Sequence, residues 1–409
     1  MSDLLQRIQS MQFQQKSEAE ALLLSFLREV YTPDVVSVEL RPLAVSLNSF
    51  NGFLNRTDGT RLFFKTHTEP DGVIGEYYHA AQLAAAGYPV IQPVFSSTQS
   101  SKQLLIYPLI EYPSVFDVAW QIETGQSSAI STLTQAQNDA DDLLFSLYER
   151  SLQPQSAAEA ELAPVHQLFY HRLTGGRLDR FYSVESRITL PGIGSIPFGD
   201  VQQMTWQING QRYDESLQDI TAHAIELLNP AQAGLSVIGH GDAHNGNVFF
   251  RGTEPLLYFD PAFAGRHHPL LDLAKPLFHN VFAMWMYYSR EKRDMLQIQL
   301  RHESNYWIVK HDYLLHPSRE MFFRSKVERV LIPTLRLLKS AGGLRADWRS
   351  YLKAALFCCP LLTMNLTDGA KFPPEISLLG LTMAIEMGSE SKGGRSLIDR
   401  TLDEAEFAI

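Results

Sequence analysis

The sequence lacks several things that would place it in a special class. It has only two cysteines in 409 residues, Cys358 and Cys359, adjacent in an apolar stretch. That spacing excludes a disulfide framework and a spaced thiolate zinc motif, and reads as two small core residues of a reduced, cytoplasmic protein. It has no apolar run approaching the roughly 18 residues of a membrane helix, residues 281–288 being among the longest. The first residues lack a basic region followed by a continuous apolar core, so no secretory signal is read there. An excess of positive charge is also missing. Thirty-five Lys and Arg stand against 45 Asp and Glu, a net charge of −10. That argues against nucleic acid or an anionic membrane as partner and agrees better with a cationic or neutral small substrate. There is no repeat and no long low-complexity tract. With 45% hydrophobic and 20% charged residues, the chain has ordinary globular composition and enough apolar material for a sizeable core. Its length allows two or three structural units, and nothing here sets an oligomeric state.

What is present changes texture along the chain. Residues 18–30 carry Leu22, Leu23, Leu24, Phe26, Leu27 and Val30 among polar neighbours, an amphipathic helix. Residues 35–40 and 61–65 read as strands on either side of a polar loop, Asn48 to Phe53, and Thr57-Asp58-Gly59-Thr60 is a tight-turn signal. A helix is expected over residues 75–86, stopped by Gly87 and Pro89, followed by strands over 90–95 and 104–109. Beyond Ser114 the chain turns mainly helical, interrupted by a Gly- and Pro-rich hairpin or loop at 188–199. Residues 271–362 read as helical and aromatic-rich, and 389–394 as a mobile loop before a last short helix.

One segment carries chemistry. Val237-Ile238-Gly239-His240-Gly241-Asp242-Ala243-His244-Asn245-Gly246-Asn247-Val248-Phe249-Phe250 runs from an apolar strand through a loop holding Asp242 and, five residues on, Asn247, into a second strand. Thirteen residues past Asn247, the apolar strand Leu256-Leu257-Tyr258-Phe259 ends on Asp260. Phosphoryl transfer needs such a set: a carboxylate to orient or deprotonate the attacking hydroxyl, and hard oxygen ligands to hold magnesium against phosphates. Upstream, Lys65 closes a strand and Glu76 follows eleven residues later in a helix. That is the order of a lysine gripping the α and β phosphates and a carboxylate steadying it. Each of these residues has a plainer reading: a surface ion pair for Lys65 and Glu76, turn chemistry for Asp242, Asn247 and Asp260, a helix N-cap for Asp272. The spacing of the three loop residues between apolar strands favours the site.

The string His240-Gly241-Asp242-x-His244-x-Gly246-Asn247-Val248, then Asp260 and Gly265, then Pro269 and Asp272-Leu273-Ala274, resembles the aminoglycoside phosphotransferase and choline kinase superfamily. The resemblance implies an α+β, two-lobed protein-kinase-like fold: a small mixed-sheet N-terminal lobe over residues 1–110 and a mainly helical C-terminal lobe over 111–409. It implies ATP, with GTP as the open alternative, and Mg2+ as cofactors, and a small molecule bearing a hydroxyl as acceptor. Residue by residue it makes Asp242 the catalytic base, Asn247 and Asp260 the magnesium ligands, and Lys65 and Glu76 the phosphate-gripping pair. His240 becomes an organiser of the loop and Asp272 its buried brace. Asn51-Gly52 falls where a turn covers the phosphates. Leu109 and Ile110 fall at the adenine-binding hinge, where Pro108 has no N–H to donate.

Two other readings stand beside this one. His240, Asp242 and His244, with His267 and His268, form a candidate metallohydrolase cluster, and a nucleotide-binding but inactive homologue is a third class. The acceptor is open among amino alcohols, aminoglycosides and sugars. Phe278, Phe282, Trp285, Tyr287, Tyr288 and Trp307 read first as core and second as a pocket for an ammonium or sugar. Residues 165–172, with Arg177, Asp179 and Arg180, mix aromatic and charged groups in a way suited either to polar contacts or to a solvated helix face.

Overall fold

In a computed structural model, residues 3–41, 49–67, 79–183, 185–303 and 306–409 are described. The chain divides into two compact units, Met1–Tyr112 with Leu257–Ala262, and Pro113–Leu256 with Phe263–Ile409. A contiguous boundary near Ile110 therefore leaves out the short segment that returns to the first unit.

The first unit is built on five strands: β1 (Val35–Leu40), β2 (Ser49–Arg56), β3 (Arg61–His67), β4 (Phe95–Ser97) and β5 (Leu104–Pro108), in the order β1-β2-β3-β5-β4. Every pairing is antiparallel, so the sheet is not mixed. The physical reason is that β2 and β3 are joined by the Asp58-Gly59 turn, where Gly59 takes φ +82° and Asp58 Oδ1 accepts from Thr60 N at 2.9 Å. Phe50, Leu54, Leu62, Phe64, Leu104 and Ile106 bury one face against Ala19, Leu23, Phe26 and Leu27 of the helix Lys16–Val30. The helix Ala80–Ala86 ends on Gly87 at φ +107°, as the sequence predicts, while residues 75–78 lie outside the described set. The expected strand over 90–95 is reduced to a bridge from Val90 to Tyr258. Pro93 lacks the N–H that a ladder needs, and pairing resumes at Phe95.

The second unit is mainly helical. Ser114 caps the helix Val115–Glu123 through Asp117 N, and a long helix follows over Ile130–Ser151. The expected hairpin is present as Arg187–Leu190 against Gly194–Pro197. Its core is the helix Trp348–Leu362, buried along nearly its whole length against Pro374–Gly388 and Pro269–His279. Cys358 and Cys359 sit there as buried thiols, and burial pushes Cys359 up to about 11, so both stay protonated and inert. Within 271–362 the helical expectation fails at Ile298–Glu303 and Tyr306–His311. These strands join Thr205–Ile208 and Gln211–Tyr213 in a four-stranded sheet, with Trp307 packed edge-on to Trp206 at 5.0 Å.

Residues 389–394 are also more fixed than expected. Ser389 and Ser391 are buried, Ser391 N and Oγ donate to Asp399 Oδ2 at 2.8 and 2.5 Å, and Lys392 exchanges backbone bonds with Arg212. Among the described residues no helix is long and apolar enough to cross a membrane.

Candidate active site

The strand Gly234–Gly239 pairs with Gly265–His267 and delivers the chain to His240. Its last residue has no alternative to glycine: a Cβ there would stand 2.6 Å from Asp272 Oδ1 and from His267 Nε2. Gly241 turns the loop at φ +78°, with Phe263 O 2.3 Å from where its Cβ would be. Asp272 lies in the first turn of the helix Pro269–His279 and is 2% exposed. It accepts from Gly241 N at 2.5 Å and Tyr148 Oη at 2.5 Å, and His267 Nε2 stands 3.1 Å away. Burial pushes the Asp272 carboxyl up, but these donors win and hold it down at about 2. His240 is fully buried, and its Nδ1 accepts from Asp242 N at 3.4 Å. The N-terminus of the loop is thus fastened to one buried carboxylate.

The rest of the loop is closed by backbone. Asp242 O accepts from His244 N at 2.8 Å and from Asn247 Nδ2 at 3.0 Å, and Asn245 N donates to Asn280 Oδ1 at 2.7 Å. The Asn247 contact occupies the nitrogen end of its amide and leaves the oxygen end to act as acceptor or ligand. Asp242 itself is unusual. Its Oδ1 is buried with no hydrogen-bond partner among the described residues, while Lys275 Nζ stands 4.0 Å away and His244 Nε2 lies 4.0 Å from Oδ2. Burial opposes ionisation of Asp242, yet the charges of Lys275, His244 and Arg172 prevail and its carboxyl falls below the usual carboxylate range. An ionised carboxylate with one oxygen unsatisfied in a fixed loop is able to take a hydroxyl proton in a hydrogen bond.

In the first unit, Lys65 on β3 reaches Asp260 Oδ1 with Nζ at 2.5 Å, the lysine side chain being 12% and the aspartate 32% exposed. Asp260 has φ +55°, a left-handed conformation uncommon for a residue with a side chain. Phe259 beside it is gripped between Phe63 and Tyr107, with ring centroids 5.9 and 5.1 Å apart, and Tyr258 exchanges backbone bonds with Pro89 and Ile91.

Other expectations fare differently. Asn51 and Gly52 do not turn: they lie inside β2, opposite Lys65 and Phe64. Gly52 is there because a Cβ would meet Glu39 O of β1 at 2.0 Å, so its role is strand packing rather than a phosphate turn. Asn48 and Glu76 lie outside the described residues. Leu109 and Ile110 are the two half-buried residues after β5, and Pro108 still pairs with Leu62. Of the aromatic stretch, Phe278, Phe282, Trp285 and Trp307 are core, while Tyr287 and Tyr288 are half-buried.

Taken singly, the Asn247 amide oxygen of the second unit and the Asp260 carboxylate of the first are each of a ligand type that magnesium takes. The histidine-cluster alternative fits less well. Among the described residues no group of three or more His, Cys, Asp or Glu forms an arrangement that could hold a metal, and His244 Nδ1 is already engaged by Gly246 N at 3.1 Å.

The model of the phosphotransferase enzyme family matches residues 133–307. That match spans the segment from His240 to Asp272. No curated protein matches the chain. Among solved structures, amicoumacin kinase hAmiN, in complex with AMP-PNP, Ca2+ and Ami, is similar at 13% identity over 92% of this chain and 96% of that one, with a TM-score of 0.48. The apo form of a thermostable mutant of aminoglycoside phosphotransferase APH(4)-Ia gives 11% identity over 89% and 97%, TM-score 0.47. Spectinomycin phosphotransferase APH(9)-Ia, in complex with ADP and spectinomycin, gives 12% over 90% and 98%, TM-score 0.41. The phosphotransferase segment contains Asp242, Asn247, Asp260 and Asp272 together.

Several residues of the site carry no signal in one sequence. Tyr148 and Asn280 act on the loop from positions 124 residues before Asp272 and 35 after Asn245. Lys275 was within reach of inference, because it lies one helical turn from Asp272 on a helix already marked for the site.

Proposed function

We propose that this protein transfers the γ-phosphoryl group of ATP to a hydroxyl of a small molecule. The observation that carries the proposal is Asp242: an ionised, mostly buried carboxylate with an unsatisfied oxygen, presented by a loop braced on Asp272, inside the segment matched by the phosphotransferase family. In this reading Asp242 accepts the hydrogen bond of the acceptor hydroxyl and orients it toward the phosphorus. Asn247, with its amide oxygen, and Asp260 are the residues that would hold magnesium, and Lys65 is the cation for the phosphate oxygens. Bound magnesium supplies charge neutralisation at the phosphates. Phosphoryl transfer needs little covalent chemistry from the protein, so positioning and fixed charge account for the catalysis. Leu109 and Ile110 supply backbone groups for the base of the nucleotide, and the second unit supplies the acceptor site.

The decisive experiment is nucleotide consumption over a panel of hydroxyl compounds, with Asp242→Ala as the blank. The substitution should lower kcat by roughly 10²–10⁴-fold while nucleotide affinity, read by calorimetry, stays within a few-fold. Wild-type turnover by Asp242→Ala on a true acceptor would remove Asp242 from the mechanism.

A further inference from the structure

Two cationic side chains of the second unit, Lys275 and Arg172, act on Asp242, a third, Arg177, acts on Arg172, and the sequence motif accounts for none of them. Lys275 Nζ, 4.0 Å from Asp242 Oδ1, lies 3.2 Å from His279 Nε2 and 3.5 Å from Thr363 Oγ1. Arg177 Nη1 donates to the neighbouring carbonyl, Leu362 O, at 3.3 Å. Arg172 lies five residues before Arg177, on the helix Tyr170–Thr174, which packs on the helix Trp348–Leu362. Arg172 is partly exposed as a residue, but its Nε and Nη1 are buried and have no hydrogen-bond partner among the described residues.

A guanidinium with two buried, unsatisfied donors is costly to leave in that state. The carboxylate whose charge acts on it, Asp242, is the same one that stands 4.0 Å from Lys275. Burial pulls the affinity of Arg172 for its proton down, with Asp242 acting against that, and pulls Arg177 down to about 10, with Arg172 adding to the effect. His279 adds no compensating charge, since burial and Lys275 keep it neutral. One carboxylate therefore stands against two cations, with Arg177 adding positive charge beside Arg172, an arrangement that repels an ammonium group and lacks an anion.

We infer that the acceptor carries an anionic group, a carboxylate or phosphate, which Arg172 receives in a two-pronged hydrogen bond beside Asp242, with Arg177 and Lys275 supplying further positive charge. Planar guanidinium donors match such oxyanions bidentately. The inference rests on the phosphotransferase reading for the word acceptor, and names its class. It reverses the expectation drawn from the net charge of −10: the molecule is acidic overall, but the cluster around Asp242 is basic. It also separates this chain from any enzyme whose acceptor is a polyamine-like drug, because several ammonium groups would have to lie against Arg172 and Lys275.

The test uses the full-length protein and a matched set of compounds: glycerol, 2-amino-1,3-propanediol, glycerate and glycerol phosphate. Binding is read by calorimetry in the presence of a non-hydrolysable ATP analogue with magnesium, and turnover by ADP release with 31P NMR of the product. The two anions should bind at least about tenfold more tightly than glycerol or the amine, roughly one charge-assisted hydrogen bond. Arg172→Gln should erase that preference, and Arg172→Lys should keep part of it, with a melting curve confirming that each variant is folded. The inference is overturned if glycerol or the amine binds as well as the anions, or if Arg172→Gln leaves their preference intact. It is equally overturned if Arg172→Gln weakens the ATP analogue by the same factor, since the cations then serve the nucleotide. Anion binding that depends on Arg172, without ADP release from any compound, would sink the phosphotransferase reading and leave the anion site standing.

Discussion

At the scale of single residues, the catalytic loop depends on one buried carboxylate and one absent side chain. Asp272 accepts from Gly241 N and Tyr148 and stands beside His267, and Gly239 leaves the room in which that happens. Asp272→Asn replaces a charged acceptor with an amide and should cost about 1–3 kcal/mol in urea unfolding, with loss of turnover beyond what the stability change explains. Gly239→Ala should cost a similar amount, because its Cβ meets the carboxylate rather than a flexible side chain. If either variant keeps wild-type stability and activity, the bracing role is wrong. The sequence revealed the loop because its functional groups are local: Asp242 and Asn247 are five residues apart. What it hid was the charge around them, since Arg172 and Asp242 are 70 residues apart and nothing in either neighbourhood points to the other.

At the scale of elements, buried polar pairs fasten the helices to one another. Lys353, on the central helix Trp348–Leu362, forms a buried ion pair with Asp399 on Leu397–Ala408, and Asp399 also holds Ser391 of the preceding loop. Lys353→Met leaves that buried carboxylate only the longer ionic contact to Arg349 Nη2 at 3.6 Å and should cost roughly 3 kcal/mol. Lys353→Met combined with Asp399→Asn should recover much of the loss, a non-additivity that a double-mutant cycle in denaturant would measure. Strict additivity would mean that the pair does not act as a unit. Residues 389–394 read as mobile from composition because Ser, Gly and Lys are loop formers. Their anchorage comes from Asp399 and Arg212, which a local window does not include. The four-stranded sheet was missed for the same reason. Its register joins Tyr306–His311 in parallel to Thr205–Ile208, about a hundred residues earlier, whereas the hairpins with their own turn residues were legible.

At the scale of the whole molecule, buried titratable groups set opposing pH limits on stability. Burial pulls His166 down to about 4 and His268 to about 3, below the ordinary histidine value of 6.5. The unfolded chain therefore takes up protons first as pH falls, and this part of the stability is complete above about 6.5 and lost on acidification toward 4 and 3. Glu386 behaves oppositely. Burial raises its carboxyl from 4.5 to about 7, with Lys353 opposing and Asp399 adding. The unfolded chain loses that proton first, so stability present below about 4.5 declines as pH rises to about 7. Melting temperatures of Glu386→Gln should fall less than wild type between those values, and those of His166→Gln should fall less on the acid side. Parallel curves for variant and wild type would refute the corresponding assignment.

The Lys65–Asp260 contact in the first unit has a consequence for order of binding. On the proposed function, the ammonium that would meet phosphate and the carboxylate that would meet magnesium already touch at 2.5 Å. A bare nucleotide would bring anionic oxygens to the aspartate as well as to the lysine, and a bare cation would bring positive charge to the lysine as well as to the aspartate. A metal–nucleotide complex would set each side chain against opposite charge. On the proposed function the protein thus favours metal–nucleotide over its separated components, a preference that calorimetric titration with and without magnesium would display as strongly coupled affinities.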